Sequence, residues 1–103
     1  MDKWQCQQIV SEKRFQVYMN NMFKEKTLHT IGKIKNEIQN LSTIGWMIAE
    51  GDYLNNIQTD ALFSQNDKLV KFCENKRKEI REKMQDISIS EFSNILSEIE
   101  VMI

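Results

Sequence analysis

The chain has 103 residues, a formal net charge of −1, and 41% hydrophobic against 28% charged residues. This length and composition are typical of one globular domain and exclude an intrinsically disordered chain. The balanced charge selects no partner by itself. No apolar run approaches the roughly 20 residues that span a bilayer, so we expect no membrane partner.

The sequence contains no proline and only three glycines, a composition that favours long helices joined by short links. Aromatic and β-branched residues never alternate with period two over the length of a strand, which argues against a sheet. The predicted fold is therefore all-α, a compact antiparallel bundle of four main helices and one short helix in a single domain. The predicted helices span residues 3–25, 28–50, 53–63, 67–86 and 90–102.

The first predicted helix (3–25) carries apolar residues on two faces. One face contains Trp4, Phe15, Tyr18, Met19 and Met22, and the nearly opposite face contains Cys6, Val10 and Val17. A helix of this kind is either buried between neighbours or presents one face to a partner. A homodimer through this helix is therefore one alternative that the sequence leaves open.

The second predicted helix (28–50) has the clearest apolar periodicity in the chain. Small or aliphatic residues recur there every three or four positions, at Ile31, Ile34, Ile38, Leu41, Gly45 and Ile48. Thr27 or Thr30 is predicted to cap its N-terminus. Gly51 is predicted to end it in the left-handed conformation that glycine adopts readily.

Capping signals define the later helices. Asp52 is predicted to cap the short helix, and residues 64–67 form a linker that resembles a weak capping box. The sequence Ser88-Ile89-Ser90-Glu91 fits the capping box S-x-x-E and predicts the start of the last helix. The helical faces together predict a core of Trp4, Phe15, Tyr18, Met22, Ile31, Ile34, Ile38, Leu41, Ile48, Leu69, Cys73, Ile80, Met84, Phe92, Ile95 and Ile99.

Charge alternates in blocks along the chain. Residues 1–35 contain seven basic and three acidic residues (+4), and residues 36–66 contain four acids and no base (−4). Residues 67–84 contain seven basic and four acidic residues (+3), and residues 85–103 contain four acids and no base (−4). The simplest interpretation is that opposite charges meet where the segments pack together, with little energy in each contact.

No residue pattern predicts catalysis. His29 is the only histidine, and no residues are spaced around it as a catalytic triad or a zinc site would require. We therefore expect no enzyme, no cofactor and no metal. Cys6 and Cys73 are predicted to be reduced thiols in a cytoplasmic protein, with a single disulfide as the alternative.

The acid-only block predicts a partner-binding surface around one aromatic residue. Trp46 and Met47 lie off the apolar stripe of their helix, where they either pack on the short helix 53–63 or on the first helix, or form an exposed anchor bordered by acidic residues and a tyrosine. Exposed aromatic residues ringed by polar ones often dominate binding energy, and acids would favour a basic partner. The predicted surface consists of Trp46, Met47, Glu50, Asp52, Tyr53 and Asp60.

A basic cluster provides the alternative surface, in the predicted helix 67–86. It consists of Lys76, Arg77, Lys78, Arg81 and Lys83. Three successive helical residues span roughly 200° of arc, so the cluster is spread around the helix. Interspersed acids also dilute it, and we therefore favour a solvated face over a nucleic-acid interface.

Three classes of function remain after these exclusions. The favoured class is a non-catalytic inhibitor or immunity-type protein that neutralises a basic protein such as a toxin or nuclease. The second is a small nucleic-acid-binding transcriptional regulator that uses the basic cluster. The third is a structural or chaperone-like subunit that exposes an apolar helix face to a fixed partner. No motif distinguishes these classes, so the first rests on analogy with other small proteins of its kind.

Overall fold

The structure is a computed structural model that describes the backbone of residues 3–103 and the side chains of residues 12–103. Its elements are α1 (Lys3–Ile38), β1 (Thr43–Ile44), a π-helix (Ile48–Leu54), α2 (Asn55–Phe63), α3 (Asp67–Lys83), β2 (Ile87–Ser88) and α4 (Ile89–Met102). The predicted all-α class and helical bundle are confirmed. The side chains of Trp4 and Cys6, for which predictions were made, lie outside the described residues.

Helix α1 is one continuous helix of 36 residues, so the predicted break between residues 25 and 28 is wrong. Neither threonine caps a new helix there. The Thr27 hydroxyl donates to the Phe23 carbonyl at 2.7 Å, and the Thr30 hydroxyl donates to the Lys26 carbonyl at 2.9 Å. These bonds run back one turn within the same helix, which satisfies both hydroxyls without interrupting it.

Helix α1 ends at Ile38, so the predicted helix 28–50 is also wrong. The chain turns after Ile38, and β1 pairs antiparallel with β2, with Ile44 opposite Ile87. Both isoleucines are buried by this pairing. The expectation of no sheet therefore fails for this short ladder, because a pairing between distant segments overrides the local helical periodicity.

The segment that follows is helical from residue 46 to residue 63 and contains the π-helix. Gly51 lies within the π-helix and has no positive φ, so the predicted helix end at this glycine is wrong. The predicted short helix 53–63 therefore begins earlier than expected. π-Helical turns are rare in proteins, and those that occur often lie at functional sites. The π-helix is therefore a candidate position for a functional site.

The predicted cap of α4 is confirmed, whereas the box predicted at 64–67 is wrong for α3, because Ser64 is buried and donates to the Ala61 carbonyl at 3.1 Å. The predicted cap at Asp52 is also wrong, because Asp52 lies inside the π-helix. Asn66 accepts a hydrogen bond from the Leu69 backbone N–H at 3.2 Å, and Ser88 accepts one from the Glu91 N–H at 3.2 Å. Helix α3 ends at Lys83, before the predicted residue 86, because Met84 adopts the left-handed conformation with φ 48°.

Nine of the predicted core residues are buried. They are Ile31, Ile34, Ile38, Leu69, Cys73, Ile80, Phe92, Ile95 and Ile99. Seven further apolar residues complete the described core: Ile44, Ala49, Leu54, Ile57, Ala61, Ile87 and Leu96. Burial raises the pKa of the Cys73 thiol to about 12. This thiol is therefore protonated at neutral pH, and it forms no disulfide.

Six predicted core residues are exposed instead: Phe15, Tyr18, Met22, Leu41, Ile48 and Met84. Leu41 and Ile48 are exposed because the helix 28–50, on which they would have faced inward, does not form. Met84 is exposed because it ends α3. The remaining three lie on a part of α1 that the other helices do not cover.

Helix α1 extends beyond the rest of the molecule. Its 36 residues correspond to a length of about 54 Å, and the molecule measures 61 × 26 × 19 Å. The next longest helix, α3, has 17 residues and spans only about 26 Å. We call residues 12–22 the projecting segment and residues 23–103 the body.

Candidate functional site

The predicted acidic surface lies around the π-helix and is only partly open to a partner. Trp46 is partly buried and packs against the core, whereas Met47 next to it is 68% exposed. Glu50 is buried, and Asp52 is exposed. Trp46 therefore contributes to the fold, and Met47 and Asp52 are the residues of this group that solvent reaches freely.

Glu50 is held by two arginines of the predicted basic cluster. It accepts hydrogen bonds from Arg81 Nε at 2.9 Å and from Arg81 Nη2, and Arg77 Nη2 lies 3.9 Å away. The hydrogen bond to Glu50 raises the pKa of Arg81 above its ordinary value. Arg77 also donates from Nη1 to Gln58 at 2.8 Å. This network joins the π-helix to α3.

Asp60, the last acid of the predicted surface, also has a partner within the chain. It is buried, and its carboxylate lies 3.5 Å from the Lys26 ammonium on α1. Two of the four acids in residues 36–66 are therefore neutralised by basic residues of other helices. This pairing confirms the interpretation that the charge blocks meet inside the fold.

The basic cluster on α3 is neutralised in the same way. Besides Arg77 and Arg81, Lys76 lies 3.4 Å from Glu79, and Lys83 lies 3.4 Å from Glu91. Among the described side chains, only Lys78 of the predicted cluster has no acidic partner within 4.0 Å. A surface with so few unpaired cations offers little electrostatic attraction to a phosphate backbone.

An open cleft of about 300 Å³ lies between α1 and the π-helix. Glu37 and Asp52 line it, together with Tyr53, whose hydroxyl donates to Glu37 Oε2 at 3.2 Å. Burial and the bond to Glu37 raise the pKa of Tyr53, so it is a neutral hydrogen-bond donor at physiological pH. Lys33 lies in the same wall, so the cleft has mixed charge.

The projecting segment carries three large apolar residues that are exposed to solvent. Phe15 and Tyr18 are each 64% exposed, and Met22 is 40% exposed. At about 100° per residue these three side chains share one side of α1, which we call the outer face. Outward-facing aromatic residues on a projecting helix are typical of a protein interface, where such residues are enriched.

The outer face lies away from the body. In the described part of α1 the buried residues are Thr27, Ile31, Ile34 and Ile38, and their stripe is about 160° around the helix axis from the outer face. The prediction from apolar spacing that the outer-face residues lie in the core is therefore wrong. The two-faced pattern of residues 3–25 was the signal that could have identified them, since one face of such a helix is available to a partner.

Within the described residues, no group of three or more histidine, cysteine, aspartate or glutamate side chains could hold a metal ion. In the same part of the chain, no helix is long and apolar enough to cross a membrane. Comparison with protein-family models, curated proteins and solved structures gave no significant match.

Proposed function

We propose that this protein is a non-catalytic subunit of a protein assembly, and that it binds its partner through the outer face of α1. The carrying observation is the exposure of Phe15, Tyr18 and Met22 on a segment of α1 in which none of the described side chains is buried. Burying such a side chain on association stabilises the complex by about 1.5–3 kcal/mol before the costs of binding. Binding a partner through these three side chains would therefore be favourable.

The surroundings of the outer face support this proposal over the other two functions predicted from the sequence. Two acids of the predicted acidic surface and four residues of the basic cluster already have partners within the fold. The outer face has none among the described residues. The outer face is thus an apolar surface that has no intramolecular role in the described part of the chain.

A photo-crosslinking residue at position 18 tests the proposal. With p-benzoylphenylalanine in place of Tyr18, irradiation in the native cells is expected to give a covalent adduct of one defined mass. The same residue in place of Val17 is the control, because Val17 is 58% exposed on another side of the same helix turn. No adduct from position 18, or equal adducts from both positions, would contradict the proposal.

An inhibitor or immunity-type protein is the second candidate, and it is supported by Met47 and Asp52. Both residues are exposed and lie close in sequence, and Asp52 lines the cleft that contains Tyr53. This candidate requires a tight, salt-sensitive complex with a basic protein, and the substitution Asp52→Lys should abolish it. A complex that is insensitive to both salt and Asp52→Lys would exclude this candidate.

A further inference from the structure

The projecting segment is a helix without lateral support. All side chains from residue 12 to residue 18 are exposed, and the first buried residue of α1 in the described part is Thr27. A helical segment as short as residues 12–22 is only marginally stable in water unless packing supports it. A partner that lies along it would therefore stabilise its helical state.

The outer face suits a second helix better than a globular surface. The outer face points about 160° away from the buried stripe, so a helix laid along residues 12–22 would replace solvent on that side of α1. The exposure continues along this side of α1 beyond the projecting segment, at His29, Lys33 and Asn36. A partner helix can therefore lie along this side of α1 over residues 12–26.

Charges on both flanks of the outer face indicate which helix fits. Glu12 and Lys26 lie on one flank, and Arg14 and Glu25 lie on the other. Each flank thus has one acid and one base, separated by 14 and 11 positions respectively. An antiparallel copy of the same helix would place each acid near the base on the equivalent flank of its partner.

We propose that two copies of this chain pair antiparallel through the outer faces of their α1 helices. This inference rests on the proposed function and names its partner as a second copy. In a two-fold antiparallel pair each flank faces the equivalent flank of the other chain. Arg14 then lies opposite Glu25 of the partner subunit, Glu12 near Lys26 of the partner subunit, and Phe15 opposite Met22 of the partner subunit.

The Arg14–Glu25 contact determines the register of this pairing. Both residues are exposed, and neither has an ion pair within the described part of the chain. Lys26 already lies near Asp60, but its side chain is 62% exposed and reaches solvent. Because only three large apolar residues per chain meet, the interface is small, and we expect a dissociation constant of about 1–100 µM.

Charge reversal provides a sharp test, measured by sedimentation velocity at low ionic strength. Arg14→Glu alone places two acids opposite each other, and Glu25→Arg alone places two bases opposite each other. Each variant is expected to dimerise about tenfold more weakly than the wild type. An equimolar mixture of the two is expected to recover dimerisation, because the mixed dimer pairs opposite charges at both contacts.

Three results would overturn the inference: a wild type that is monomeric at about 500 µM, a mixture no tighter than its components, or a dimer unaffected by Phe15→Ser with Tyr18→Ser. Circular dichroism of each variant controls for folding. The crosslink at position 18 separates this inference from the proposed function. An adduct of two copies supports both, whereas an adduct with a different protein overturns the dimer and leaves the proposed function intact.

Discussion

Replacing Phe92 with alanine is expected to lower the free energy of unfolding by about 3–5 kcal/mol, because the large cavity left in the core cannot close. Phe92 is fully buried in α4, and its ring lies 5.8 Å from that of Tyr53, between ring centroids. The same substitution at Phe15 is expected to change the free energy of unfolding by less than about 0.5 kcal/mol, because Phe15 is exposed on the projecting segment.

This pair of substitutions is matched in chemistry and differs only in location, so urea denaturation at low protein concentration decides the outcome. Low concentration matters because association would add stability to the wild type and to Phe92→Ala but not to Phe15→Ala. A loss at Phe15 comparable to that at Phe92 would show that the projecting segment belongs to the folded core of the monomer.

Replacing Glu50 with alanine is expected to cost about 1–3 kcal/mol, because it removes charge-assisted hydrogen bonds and leaves Arg77 without its counter-charge. Among the described residues, Glu50 forms the only ion pairs between the π-helix and α3, with Arg77 and Arg81. Arg77 Nε is buried and has no hydrogen-bond partner in the same part of the chain. Removing the Glu50 carboxylate would therefore leave the Arg77 guanidinium still less compensated.

Asp52→Ala is the matched control, since Asp52 is an exposed acid in the same π-helix and forms no ion pair within the described residues. Its substitution is expected to change the free energy of unfolding by less than about 0.5 kcal/mol. Thermal or urea denaturation of the two variants is the measurement. Equal and small effects would mean that Glu50 acts as an ordinary surface acid and does not hold the π-helix to α3.

The parts of the fold that could be predicted from the sequence depend on local information. Ile31, Ile34 and Ile38 recur at helical spacing and are buried as predicted, and the hydroxyl of Ser88 caps α4 as its capping box indicated. Periodicity failed after Ile38, where β1 and β2 pair across more than forty residues of chain. Local spacing contains no information about such a partner.

The residue contacts of the candidate site could not be predicted from local sequence either. Glu50 and Arg81 were predicted on rival surfaces, one for a basic protein and one for a nucleic acid, yet they form a single ion pair. The alternating charge blocks indicated that opposite charges would meet, but not which residues would do so. Likewise, the two apolar faces of residues 3–25 were visible in the sequence, whereas the exposure of both Tyr18 and Val17 depends on which part of α1 the body covers.

Amide hydrogen exchange along α1, measured as a function of protein concentration, tests the central claim most directly. We expect slow exchange at residues 31–38 at every concentration, because these residues are held in the core. At residues 12–22 we expect fast exchange in dilute solution and increasing protection as concentration rises and the outer faces pair. Slow exchange at residues 12–22 in the most dilute sample, equal to that at residues 31–38, would contradict the account.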